Sequence, residues 1–343
     1  MSHNREFEVF SEIVERNGRV IMEKAMAEVL DADYDAGKAS TAAKYHTRFL
    51  SKVAPVFPAL VNLAYEVAGR GTQKPIGVGA ALTLFVEAAN VHDDIIDQSE
   101  IKYNRKTVYG KFGREISILA GDILLVQGAF TLYRECEGLP FEQREKIVQL
   151  TFGSLAEISK SAAREALMHR RFDILPKDYL EVVRLRAAVP EIHCRVGAIL
   201  GGGTNEIVEV LGLYGRNYGI IGTILDEFLD MFDYEKFNNR LSKECLPLPI
   251  LCVLQNNEIK DKILPSIKEY QVNRPDYERI IQLVMSSNEV KTLKDEQIKH
   301  VDKTFKQLHN SIENNAEKDL RNLLSIFRSL TCKVDEFTSQ FLV

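Results

Sequence analysis

Three carboxylates close an apolar run, FVEAANVHDDIID, at Phe85 to Asp97. At about 3.6 residues per turn, Asp93 and Asp97 lie one turn apart on one helix face, with Asp94 beside them. Left unneutralised at a buried helix end, such a group repels itself and costs folding energy. A divalent cation removes that cost. All-oxygen ligands suit Mg²⁺, which is commonly shared between one or two carboxylates and substrate phosphates. A second acid triad, Asp226, Glu227 and Asp230 in GTILDEFLD, repeats the spacing far downstream. One such cluster alone is ordinarily a solvated helix end or a cap. Two of them, each inside an apolar stretch, point to helices that face each other across Mg²⁺ ions and a diphosphate.

The elements that must position these acids read as helices nearly throughout. Phe7, Phe10, Ile13, Val14 and Val20 to Met26 give a first amphipathic helix. Pro55 and Pro58 open another that stops at Gly69 to Gly71, where helix ends favour glycine. The acid-tipped helix follows, then a polar loop from Ser99 to Gly113. Further helices are expected from about Glu115 to Arg134 and Glu142 to His169. One from Lys177 to Leu200 should kink or break at Pro190 before the triple glycine Gly201, Gly202, Gly203. Ile298, Val301, Phe305, Leu308 and Ile312 form one three-four stripe, and Leu320, Leu323, Leu324, Phe327 and Leu330 another. The basic stretch Lys291 to Lys306 reads as a solvated helix face. No alternating strand of useful length, no internal repeat and no linker is found, so the expectation is one all-α domain over residues 1–343.

Composition narrows the function classes. With 45% hydrophobic and 27% charged residues, the chain has the balance of a soluble globular protein. A net charge of −5 gives no electrostatic footprint for nucleic acid. The five cysteines are odd in number and lack metal-site spacing, which favours reduced thiols and a cytoplasmic setting. Charges run through the first nineteen residues, so no signal peptide is expected, and no uninterrupted apolar run of membrane-spanning length is apparent.

Taken together, the motifs resemble those of the all-trans isoprenyl diphosphate synthases, or polyprenyl synthetases. HDDIID at His92 to Asp97 is similar to that family's first aspartate-rich motif, and DEFLD at Asp226 to Asp230 stands where the second belongs. ILAGDILL at Ile118 to Leu125, YLEVVRLRAAVPEIHCRVGAIL at Tyr179 to Leu200, and Lys243 with Leu246 and Pro247 resemble further signatures. The resemblance runs in order from about residue 50 to the end. It implies a helical bundle around a deep central cavity, usually a homodimer, and Mg²⁺-dependent ionisation of an allylic diphosphate. By the same resemblance, Asp93, Asp94, Asp97, Asp226, Glu227 and Asp230 would be metal ligands. Lys102, Arg186 and Lys243 would contact the diphosphate, with Thr223 where the family has a glutamine. The logic is physical: diphosphate leaves poorly until cations neutralise its developing charge.

Departures from the pattern fall on one side. Where the family has its GGKR motif, this chain has Lys52, Val53, Ala54 and Pro55. Val86 replaces a histidine and Tyr103 a second arginine. In the family these groups hold isopentenyl diphosphate, the default acceptor of head-to-tail elongation. Their loss suggests transfer to a different nucleophile, such as a hydroxyl or a ring carbon, unless Lys52, His46, Arg48 or Arg105 supplies the missing charge. Ala88 and Ala89, one turn above the first acids, and Phe85 beyond them suggest a tunnel for about twenty to twenty-five carbons, each helical turn adding about 5.4 Å. Two other readings remain: a non-catalytic or regulatory subunit pairing with an active homologue, and a class I terpene cyclase. The acid triads argue against the first, and the absence of tryptophan against the second.

Overall fold

A computed structural model describes residues 2–69, 71, 74–311 and 315–341, and these fold almost entirely into helices. The run begins with α1 (Ser2–Leu30), α2 (Gly37–Phe49), α3 (Val56–Val67) and α4 (Ile76–Ile96). It continues through α5 (Val108–Phe112), α6 (Arg114–Cys136), α7 (Phe141–Ala166), α8 (Pro176–Arg186) and α9 (Ala188–Leu200). The second half holds α10 (Asn205–Asp230), α11 (Tyr234–Lys243), α12 (Leu248–Val253), α13 (Asn257–Ile267), α14 (Arg274–Ser286), α15 (Asn288–Ser311) and α16 (Asn315–Phe341).

Helical period decides which faces meet. In α4, Val78, Ala81, Leu82 and Phe85 join the main core with α3, α9 and α10. Ala80, Leu84, Ala88 and Val91 turn the other way, into a smaller core with Ala42 and Ala43 of α2 and Ala120 and Leu124 of α6. Helices α4 and α6 approach closely because α6 offers glycines. A side chain at Gly121 would meet the His92 ring at 2.3 Å, and one at Gly128 would meet the Phe85 ring at 3.1 Å. Burying these stripes is the main stabilising term, each large apolar side chain contributing about 1.5–3 kcal/mol.

The polar loop holds a small surprise. Ile101–Lys102 and Arg105–Lys106 pair as β1 and β2, an antiparallel hairpin two residues long on each side. Its turn residues, Tyr103 and Asn104, have φ of +52° and +57°, the left-handed pair that a tight hairpin requires. Asparagine accepts that conformation readily, whereas a tyrosine does so under strain. The hairpin fixes Lys102 on one strand and Arg105 on the other.

The expected break near Pro190 falls between α8 and α9, at Ala187, and puts Pro190 in the first turn of α9. There its missing N–H has no helical partner to lose. Helix α2 is an element the apolar pattern did not suggest. Val301 and Leu308 of the α15 stripe are buried, Ile298 is exposed, and Ile312 lies outside the described residues. Helix α6 is long and apolar enough to cross a membrane by length and composition. Here one face packs on α4, while Leu119, Val126, Phe130 and Tyr133 stay exposed.

Candidate active site

Helix α4 ends in the first acid triad, with Asp97 as its C-cap. Asp94 is buried and pairs with Lys102 of the hairpin, Nζ to Oδ1 at 2.6 Å. Asp93 remains accessible to solvent. Burial raises the carboxyls of both Asp93 and Asp94 above the ordinary range, with Arg186 and Lys102 pulling Asp93 back. Asp97 is pushed up to about 7, first by burial and then by the charges of Glu244 and Asp93. His169 stands beside it, Nε2 to Oδ1 at 3.9 Å. An acid that solvent can reach and that protein nonetheless desolvates lies in a recess, and Asp93 fits that description.

Asp226 fits it too. It is accessible, yet burial and the neighbouring Asp230 push its carboxyl up to about 6. Asp230, one turn on, is held by Lys236 at 2.7 Å and Arg240 at 3.0 Å. Glu227 departs from the metal-ligand expectation. It turns into the interior, 1% exposed, where the Tyr179 hydroxyl donates to one oxygen and the Leu248 N–H donates to the other at 2.8 Å. Both oxygens are thus occupied by α8 and by the start of α12. Glu227 ties three helices together, and the recess is left to Asp226 and Asp230.

Contacts from α11 and α8 link the surroundings of the two triads. Lys243, at the end of α11, donates from Nζ to the Gln98 carbonyl at 3.2 Å, next to Asp97. Glu244, the following residue, acts on the Asp97 carboxyl. The charge of Arg186, at the end of α8, is felt by Asp93 and Asp97 on one side and by Glu227 on the other. Its guanidinium pairs with Glu165 of α7. Among the described residues no three metal-binding side chains converge on a point. Lys102, Lys236 and Arg240 neutralise the acids instead. The donor set is wholly carboxylate, and Asp97 and Asp226 still feel the charges of neighbouring carboxylates, which fits a hard divalent cation.

Ala88 and Ala89 part company. Five residues before Asp93, Ala88 points about 140° away and packs in the smaller core, against α2 and α6. Ala89 lies about 40° from Asp93 and is half-buried on the face leading to the recess. Phe85 follows one turn further, its ring 6.4 Å from that of Phe152 on α7. Ala88 is therefore a packing residue, and the tunnel expectation rests on Ala89 and Phe85. Thr223 is half-buried on α10, one turn before Asp226.

On the other flank, Val53, Ala54, Pro55, Val86 and Tyr103 bring no cation. Nearby charges are largely spoken for. His46 of α2 pairs with the buried Glu87 of α4 at 2.8 Å. The Arg105 guanidinium lies over the rings of Tyr45 and Phe49 at 4.3 and 4.2 Å. Arg48 and Lys52 are exposed, with no ion-pair partner among the described residues. Sequence reasoning missed His169, Tyr179, Lys236, Arg240, Glu244 and the pairing of His46 with Glu87. Only Glu87 carried a signal, as the lone acid inside the apolar run that precedes the triad.

The family model for polyprenyl synthetase matches residues 54–284. A geranylgeranyl diphosphate synthase of Sulfolobus acidocaldarius is 26% identical over 294 residues, covering 85% of each chain. A geranylfarnesyl diphosphate synthase of Aeropyrum pernix is 30% identical over 195 residues, 54% of this chain and 61% of that one. Among solved structures, a geranylgeranyl pyrophosphate synthetase from Pyrococcus horikoshii superposes with a TM-score of 0.82 at 22% identity, over 94% of this chain and 98% of that one. A polyprenyl synthase from Caulobacter crescentus, complexed with calcium and isoprenyl diphosphate, gives 0.79 at 17% identity, over 94% and 97%. With this family match over residues 54–284 and the all-α fold shared with those structures, the chain belongs to the polyprenyl synthetase family and is a prenyltransferase.

Proposed function

We propose that the protein ionises an allylic prenyl diphosphate of about twenty to twenty-five carbons and passes the prenyl group to a nucleophile other than isopentenyl diphosphate. The carrying observation is the asymmetry of the recess. Its donor flank keeps Asp93, Asp94, Asp97, Asp226 and Asp230 with Lys102, Arg186 and Lys243. Its acceptor flank lacks the cations that a second diphosphate needs and holds the buried carboxylate Glu87, which would repel one. The relatives are named as geranylgeranyl and geranylfarnesyl diphosphate synthases, and on this reading the choice of acceptor sets the chain apart from them.

The acids fit Mg²⁺, which Asp93, Asp94, Asp97, Asp226 and Asp230 would hold together with the diphosphate. Bound there, Mg²⁺ supplies positive charge to the leaving diphosphate. Lys102, Arg186 and Lys243 add fixed cations around the same oxygens. The apolar face of α4 through Ala89 to Phe85 keeps water from the allylic cation. The related Caulobacter crescentus protein, crystallised with calcium and isoprenyl diphosphate, supports the pairing of hard cation and diphosphate.

A homodimer is part of the proposal. Leu119, Val126, Phe130 and Tyr133 of α6, 50 to 66% exposed, form an apolar face that a second copy would cover. Elongation of isopentenyl diphosphate is the second reading, favoured by Arg48 and Lys52, whose side chains have no partner among the described residues. Incubation with Mg²⁺, radiolabelled geranylgeranyl diphosphate and isopentenyl diphosphate separates the two. We expect little elongated product. Elongation at rates ordinary for enzymes, above about 1 per second, overturns the altered acceptor.

A further inference from the structure

Glu87 and His46 form a pair that the donor chemistry leaves unexplained. Glu87 Oε2 lies 2.8 Å from Nε2 of His46 and also accepts from Asn90 Nδ2 at 3.3 Å. The other ring nitrogen of His46, Nδ1, has no hydrogen-bond partner among the described residues and is not sealed in the interior. An imidazole clamped by a carboxylate at one nitrogen and open at the other is arranged to accept a proton. Glu87, Asn90 and Asp94 share one face of α4, Glu87 within about 20° of Asp94 and roughly 10 Å along the axis. The charge of His46 reaches the Asp94 carboxyl, together with those of Lys102 and Arg105.

We propose that His46, held by Glu87, is the general base for an acceptor carrying an O–H or N–H group. This rests on the reading that the acceptor is not isopentenyl diphosphate, and it names the acceptor's chemistry: a neutral hydroxyl or ring N–H. In the transfer, a lone pair on the acceptor heteroatom forms the bond to C1 of the prenyl chain. The C1–O bond breaks, and diphosphate leaves with the bonding pair. The acceptor's proton passes to Nδ1 of His46, and the Glu87 carboxylate balances the imidazolium that results. Isopentenyl diphosphate attacks through its double bond and loses a C–H proton only after the new bond has formed, and the Glu87 carboxylate would oppose binding of its diphosphate. Glu87 of α4 pairs with His46, and Asp94 on the same helix feels the charges of His46 and of Lys102 and Arg105 from the hairpin. Lys111 of α5 lies over the neighbouring Tyr45 ring, and α6 meets α2 through the apolar Ala120 and Leu124.

The full-length protein is incubated with Mg²⁺, radiolabelled geranylgeranyl diphosphate and, separately, phenol, indole, glycerol and isopentenyl diphosphate. We expect an ether or N-alkyl product with at least one of the first three. His46→Gln should then lower kcat at least 100-fold, abolish the acidic limb of the pH profile and leave KM for the donor unchanged. Glu87→Gln should lower kcat about 10-fold, and Glu87→Asp should restore most of it. Binding of an unreactive thiolodiphosphate analogue with Mg²⁺, read by thermal shift, should be the same in all variants and reports that each is folded. Transfer to a hydroxyl or N–H probe with the pH profile unmoved in His46→Gln overturns the base and spares the altered acceptor. Elongation of isopentenyl diphosphate with no transfer to the other probes overturns both. Absence of any transfer leaves His46 without a proton to take and likewise overturns the base.

Discussion

The two acid triads share a spacing and differ in what their carboxyls touch. In the first, Asp93 stays accessible, Asp94 meets one lysine, and Asp97 sits among like charges from Glu244 and Asp93. In the second, Asp230 is clamped by two cations and Glu227 is spent on the interior, so that only Asp226 resembles the first group. A repeated motif is therefore not a repeated site. One residue along a helix turns a side chain by about 100°, and neighbouring helices decide whether it finds solvent, a cation or a backbone N–H.

That contrast can be broken most directly at the chemistry. Asp93→Asn should lower kcat by about 100- to 1000-fold, the usual loss when one charge-stabilising group is removed. Asp230→Asn, whose partners Lys236 and Arg240 already neutralise it, should cost less. Steady-state kinetics with geranylgeranyl diphosphate as donor compares them, and equal losses would erase the difference between the triads.

Stability should separate the second triad internally. Glu227→Ala removes a buried carboxylate that holds Tyr179 and Leu248 and leaves Arg240 short of a counter-charge, a change that costs about 3 kcal/mol or more. Asp226→Ala relieves repulsion in the recess and should leave urea unfolding nearly unchanged while activity falls. A stable Glu227→Ala protein would return that residue to the list of ligands.

Next in size is the pair of alanines. Ala88→Phe overfills the smaller core and should destabilise by about 1–3 kcal/mol without altering the preferred donor. Ala89→Phe should leave stability alone and shift the preferred donor to a shorter chain. Chromatography of products from donors of ten to twenty-five carbons reads the second effect, and an unchanged preference there removes the tunnel.

The smallest expected effect depends on pH. Asp97 and Asp226 have folded-state values of about 7 and about 6, above the value of about 4 for an unfolded carboxylate. A carboxyl raised on folding stabilises the protein when protonated and loses that advantage as pH rises through the folded value, here between about 4 and 7. Mg²⁺ with an unreactive diphosphate analogue should offset the loss. Its thermal shift should therefore be larger at pH 8 than at pH 5.5, where protons compete for the same oxygens. Equal shifts would place these carboxyls outside the metal site.

Much of this was legible in the chain itself. The acid-tipped helix announced itself because an apolar run ended in three carboxylates, and the break near Pro190 followed from a missing N–H. Helix α2 escaped because its buried residues are mainly Ala39, Ala42 and Ala43, which carry little apolar signal. The hairpin escaped because two-residue strands have no period to detect. Glu227 was misassigned because its partners, Tyr179 and Leu248, are distant in sequence and nothing local fixes which way it turns. Ala88 could have been set aside beforehand, since its angle from Asp93 follows from helical geometry alone.

The bond from Lys243 to the Gln98 carbonyl joins positions 145 residues apart. A nascent polypeptide can complete α4 and its three acids long before α11 exists. Competence must therefore appear late, when the distal segment docks and closes the loop. Closing one of that length costs about 4 kcal/mol of entropy by the logarithmic rule. A product truncated ahead of α11 would keep both acid triads and lack Lys236, Arg240, Lys243 and Glu244, the charges that join them.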